Sequence, residues 1–291
     1  MRDPAHAASR GPARRGALIA AAALLAGGRP RAARASGGAV RIAGTGGAIA
    51  TVRALAEAHR RRDPSAPEIR TLPNLGTSGG IAAVLEGAAD IALAARPPTD
   101  AERAAGARHT PYARTPLAFA TGTGDAARGV ALDDAVRIYA GQLAEWPGGA
   151  PIRVVRRPAN DSDTLALAAV SPAMAAALAA AQRRPGLVTA GTDQDNADAL
   201  EAVRGSFGAI TLAQFLSERR RLALLALDGV EPTPEAVAAG RYPLSKVFCF
   251  VTGAEPAPAA VAFMQYVAGP EGASVLSGLG QAPVRAHGGG A

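Results

Sequence analysis

Three turns rich in glycine and hydroxyl groups, each set between a strand-like apolar run and a helix-like run, constrain this chain more than any other feature. Gly44-Thr45-Gly46-Gly47-Ala48 follows one such run, Leu75-Gly76-Thr77-Ser78-Gly79-Gly80 a second, and Arg156-Arg157-Pro158-Ala159-Asn160-Asp161-Ser162-Asp163-Thr164 a third. A strand, a small-residue turn and a helix start together aim unpaired backbone N–H groups at one point, and the aligned peptide dipoles favour negative charge there. Three turns of this type point to one small anion held by several helix starts. The first turn lacks the spacing of a dinucleotide fingerprint, because Ile49 stands at the third glycine position.

Strand-like and helix-like runs alternate from residue 39 onward: strands at 39–43, 68–72 and 90–94, with helices at 48–62 and 81–86 between them. Strands joined by helical crossovers imply an α/β protein with a largely parallel sheet. Further strands are expected at 116–120, 152–155, 207–210, 222–227 and 246–252. Helices are expected at 100–105, 132–139, 195–203, 258–267 and 271–279, with one long alanine-rich helical region from 162 to 184.

The net charge of +7 and pI near 10.6 would suit a nucleic-acid binder if the charge were spread over the fold. It is not. Residues 1–35 carry seven arginines against Asp3, a net of +6, which leaves about +1 for the remaining chain. That leader combines Arg14-Arg15, an apolar run over 16–26 and a small-x-small site at Ala33-Arg34-Ala35, the parts of an export signal cleaved before Ser36. The arginine pair also resembles a twin-arginine signal. A periplasmic location follows, with no membrane span expected after the leader. Cys249, flanked by Phe248 and Phe250, reads as a small core residue, and no cofactor or metal is expected.

Gly76-Thr77-Ser78-Gly79-Gly80 also satisfies the G-x-S-x-G pattern of a hydrolase nucleophile elbow. An acid and then a histidine should follow such a serine. Only His109, too early, and His287, in a glycine tail, come after it, so a serine hydrolase is the remote alternative and no catalytic residue is assigned.

Over nearly its whole length after the leader, the sequence resembles the phosphate-binding proteins of ABC importers. The residues that carry the likeness are the first two glycine turns, Ala89-Asp90-Ile91-Ala92-Leu93-Ala94-Ala95-Arg96-Pro97, the segment 154–164, Gly205-Ser206-Phe207-Gly208-Ala209-Ile210, Tyr242-Pro243-Leu244 and Gly269-Pro270-Glu271-Gly272. The resemblance implies a two-lobed periplasmic-binding-protein fold of type II, each lobe a mainly parallel sheet flanked by helices and joined by a two-strand hinge. Lobe one would comprise 36–117 plus 248–291, and lobe two 118–247. It further implies a monomer that takes a small inorganic oxyanion, phosphate favoured, and passes it to an inner-membrane ABC permease. Presentation to a membrane-bound sensor, or capture of sulfate, molybdate or tungstate, stays open.

Carried over by position, the implied ligand contacts are Gly47, Ala48 and Ile49 from the first turn and Thr77, Ser78 and Gly79 from the second. Arg96, Arg157, Ser162, Asp163 and Thr164 complete the set. Family members carry a proton-accepting aspartate where this chain has Ala95, and Asp163 is the residue expected to replace it.

Overall fold

The computed structural model describes residues 38–124 and 127–284, so the expected export signal lies outside the described residues. The chain begins with β1 (Val40–Gly44), α1 (Gly46–Arg62), β2 (Ile69–Asn74), α2 (Gly76–Leu85), β3 (Ile91–Ala94), α3 (Asp100–Ala104) and the long β4 (Arg108–Gly122). It continues through β5 (Gly129–Val130), α4 (Leu132–Ala140), β6 (Arg153–Arg156), α5 (Ser162–Ala168), α6 (Pro172–Arg183), β7 (Val188–Thr189), α7 (Asp193–Ala202) and β8 (Ser206–Thr211). The last part holds α8 (Leu212–Ser217), β9 (Leu222–Leu224), β10 (Ala226–Leu227), α9 (Pro234–Ala238), β11 (Ser245–Thr252), α10 (Pro258–Ala268), α11 (Pro270–Gly278) and β12 (Ala282–Pro283).

Ten strands share one sheet, running β2-β1-β3-β11-β4-β8-β6-β7, with β12 and β9 also paired to β4. The pairs β1–β2, β1–β3, β6–β8 and β6–β7 are parallel, as the helical crossovers require, whereas β11 and β8 meet β4 antiparallel. This is a mixed α/β fold with a central sheet flanked by helices. β4 ties it together: its first part pairs with β11, and from Leu117 onward it pairs with β8 and then β9.

The apolar core follows the same division. Around β1, β3 and β11, Tyr112 stacks on Phe250 at 4.2 Å between ring centres, and Phe250 meets Phe263. Around β8, Phe207 stacks on Phe119 at 5.1 Å and also touches Tyr139 and Trp146. Offset and tilted ring pairs of this kind add to the burial of their large apolar surfaces. Among the described residues, no helix is long and apolar enough to cross a membrane, and no cluster of His, Cys, Asp or Glu is suited to a metal ion.

Several elements differ from the sequence expectation for identifiable reasons. The helical region expected over 162–184 is two helices, because Ser171 caps a new start by accepting from Met174 N at 3.1 Å and Pro172 occupies its first turn. α2 begins at Gly76, five residues early, so the glycine-rich stretch is its first turn. β4 starts at Arg108, well before residue 116, because cross-strand pairing with β11 holds a polar run that has no apolar alternation of its own. The strand expected over 222–227 is divided into β9 and β10, and α8 and α9 were not anticipated.

Candidate functional site

The second turn owes its shape to Asn74 and Gly76. Asn74 Oδ1 accepts from Gly76 N at 2.9 Å, and Gly76 at φ +67° turns the chain from β2 into α2. The N-cap residue of α2, Leu75, makes no side-chain cap bond of its own. Its opening residues Gly76, Thr77 and Ser78 line a cavity of about 530 Å³. Arg96 and Pro97 contribute from the end of β3, Asn160, Asp161 and Ser162 from the start of α5, and Ser245 and Lys246 from β11. Of the residues expected to contact ligand, Thr77, Ser78, Arg96 and Ser162 are therefore brought together around one space.

The hydrogen-bond directions within this group decide what it offers. Thr77 Oγ1 accepts from Ala95 N at 3.1 Å, Ser78 Oγ from Arg96 Nη2 at 2.9 Å, and Ser162 Oγ from Lys246 Nζ at 2.8 Å. A hydroxyl whose oxygen already accepts keeps its own proton to donate. Three hydroxyls on one cavity are thus arranged as donors.

The cations nearby are matched by carboxylates. Arg96 forms a two-point pair with Glu102, at 2.8 and 3.0 Å, and Glu102 belongs to the capping box of α3 with Thr99. The Arg96 hydrogen bond is the main reason that the Glu102 carboxyl is held down at about 2. Lys246, 3% exposed, pairs with the buried Asp163. Burial opposes the Lys246 charge, but Asp163, Asp193 and Asp161 outweigh it and raise its pKa, so it stays protonated. Burial pushes the Asp163 carboxyl up, and the neighbouring Asp161 and Asp193 add to that, against the pull of Lys246.

Arg157 is placed differently from the expectation of an open ligand fork. It is 7% exposed, donates to Ala190 O at 2.9 Å and to Asp161 Oδ2 at 2.8 Å, and lies 3.7 Å from Asp193 Oδ1. Burial works against its charge, and Asp193 and Asp161 more than offset that, leaving its pKa above the ordinary arginine value. Asp163 and Thr164 are buried beside it, behind the cavity wall.

The first turn is also occupied from within. Gly47, Ala48 and Ile49 are buried in α1, and Asp193 sits against the first of them: a Cβ on Gly47 would lie 3.7 Å from Asp193 Oδ1. Asp193 Oδ2 accepts from Thr45 Oγ1 at 3.3 Å and Asn74 Nδ2 at 3.4 Å. Asn74 Nδ2 also reaches Gln194 Oε1 at 3.0 Å, and Gln194 Nε2 donates to Gly46 O at 3.2 Å. A carboxylate of the chain thus lies beside the start of α1, bonded to Thr45 and Asn74. Gly79 lies in α2 but is not part of the cavity wall.

Sequence reasoning placed Asn160 and Asp161 in the third turn without naming them as contacts, assigned Lys246 no role, and passed over Asp193. Lys246 is the one lysine of the chain, placed at the start of an apolar strand where a charge needs a partner, and that was the available signal. As for the hydrolase pattern, Ser78 Oγ is bonded by Arg96, and no histidine bonds it among the described residues.

A model described as the PBP superfamily domain matches residues 29–271. Comparison with curated protein sequences gives no match. Among solved structures, a candidate phosphate ABC transporter substrate-binding protein with bound phosphate from Clostridium perfringens is similar at a TM-score of 0.74 and 22% identity, covering 85% of this chain and 100% of that one. An ABC-type phosphate transport receptor from Vibrio cholerae gives 0.59 and 17%, over 84% and 99% of the two chains. A phosphate-binding protein from Stenotrophomonas maltophilia gives 0.63 and 15%, over 84% and 90%.

Proposed function

This chain belongs to the PBP superfamily, and from that membership we propose that it is an extracytoplasmic solute-binding protein that captures a small oxyanion, phosphate favoured, for delivery to an ABC importer. The observation that carries the reading is the trio Thr77, Ser78 and Ser162, each accepting a protein hydrogen bond and so left with an O–H to donate into one cavity. Gly76, Thr77 and Ser78 at the opening of α2 line the same space, and Lys246 has one N–H beyond the two it uses on Ser162 and Asp163. Because each neighbouring cation already faces a carboxylate, the anion is held mainly by oriented neutral dipoles.

In this reading the residue groups 36–117 plus 248–291 and 118–247 are two lobes that meet at the cavity. Thr77, Ser78 and Arg96 come from the first, and Ser162 from the second. The crossings fall within β4 and β11, where Lys246 stands opposite Thr115. A ligand touching both groups favours whichever arrangement lets it touch them together. Arg157 then frames the site through Asp161 and Asp193 and does not itself grip the ligand.

The test is a thermal-shift and calorimetry panel of phosphate, arsenate, sulfate, molybdate and tungstate. A ligand specific to the folded state raises the melting temperature. Thr77→Val and Ser162→Ala should each weaken binding of the preferred anion by about 1.5–3 kcal/mol, the scale of a hydrogen bond to a charged group. If no anion in the panel shifts the transition, the reading fails.

A further inference from the structure

The cavity is large for a bare tetrahedral ion. Its volume is about 530 Å³, within the roughly 300–1,000 Å³ of pockets that enclose drug-sized molecules. An anion of five heavy atoms needs space on the order of 100 Å³, taking about 30 Å³ for each displaced water. Beside the cavity the two proposed lobes are already joined. Asp193 and Gln194 at the start of α7 already bond to Thr45, Gly46 and Asn74 around the start of α1 and the end of β2.

The surplus space is lined by apolar groups. Leu75, 48% exposed, and Leu165, 50% exposed, are two of the four large hydrophobic side chains left exposed among the described residues, and both line this cavity. Pro97, Pro158, Ala166 and Val247 extend the same lining. An inorganic ion bound at Thr77, Ser78 and Ser162 would leave those surfaces in water. A ligand with an apolar substituent on the oxyanion would cover them.

We propose that the ligand is an organic oxyanion, a phosphonate or phosphate monoester with a small apolar tail, whose anionic head meets the hydroxyls and whose tail lies on Leu75 and Leu165. This rests on the oxyanion reading of the same site but replaces inorganic phosphate, as the favoured anion, with an organic one. Each methylene buried should tighten binding by about fourfold.

The test compares inorganic phosphate with methyl-, propyl- and phenylphosphonate by calorimetry on the purified protein, and repeats the series on Leu165→Ala, an exposed position where the fold is not at stake. Propyl- and phenylphosphonate binding at least tenfold tighter than phosphate, with the gap reduced in Leu165→Ala, is the expected result. Phosphate binding as tightly as the phosphonates overturns the inference and leaves the oxyanion reading standing. Binding of none of the four overturns both.

Discussion

Lys246 and Asp163 form a pair whose members are each tolerated only because the other is present. A buried ion pair gains little over apolar residues of the same volume, but removing one partner strands the other. Lys246→Met should therefore cost about 3–5 kcal/mol of unfolding free energy at pH 7, measured by urea titration. The stranded Asp163 carboxyl would hold its proton more tightly folded than unfolded, so stability rises as pH falls toward the ordinary carboxylate range. The deficit of Lys246→Met should accordingly narrow between pH 7 and pH 5. Glu102 behaves in the opposite sense. Its carboxyl is held at about 2 in the fold, below its usual 4.5, so its contribution is complete above the usual value and disappears as pH falls from there toward 2. Urea titrations between pH 5 and pH 2.5 should show a shallower acid slope for Glu102→Gln than for the parent protein.

At the scale of elements, the contact of α2 with β1 depends on a glycine that no other residue can replace without movement. A Cβ on Gly80 would lie 2.6 Å from Gly44 Cα, backbone against backbone. Gly80→Ala should destabilise the fold by about 1–3 kcal/mol, as overpacking does, and displace the opening of α2 from the cavity. The break between α5 and α6 offers a second check. Ser171→Ala removes the cap on Met174 N and should cost about 1 kcal/mol in thermal unfolding. These two elements also show what a sequence exposes. The succession of strand and helix around residues 75–80 was legible because glycine, hydroxyl and apolar residues fall in a pattern that local chemistry dictates, although the glycine-rich stretch belongs to α2 itself. Alanine content suggested continuous helix over 162–184, yet the Ser171-Pro172 pair carried the opposite message. The site was half legible for the same reason: hydroxyls at helix starts announce themselves, whereas the partners of Arg157 and Lys246 are set by packing between residues that are distant in the chain.

For the molecule as a whole, the bonds among Asn74, Asp193 and Gln194 join residues about 120 positions apart. Asn74→Ala and Gln194→Ala should be non-additive, with a coupling of about 0.5–1.5 kcal/mol in a double-mutant cycle by urea titration, because they share one hydrogen bond. Purely additive effects would mean that the contact contributes nothing in solution. β4 carries a different kind of long-range dependence. One continuous strand of 15 residues serves β11 in its first part and β8 and β9 in its last, and side chains along a strand alternate between its two faces. An insertion or deletion of a single residue near Pro116 would turn every side chain on one flank of that point inside out with respect to the other. One residue more or less at this crossing should therefore cost the fold far more than an exchange of one residue for another of like size.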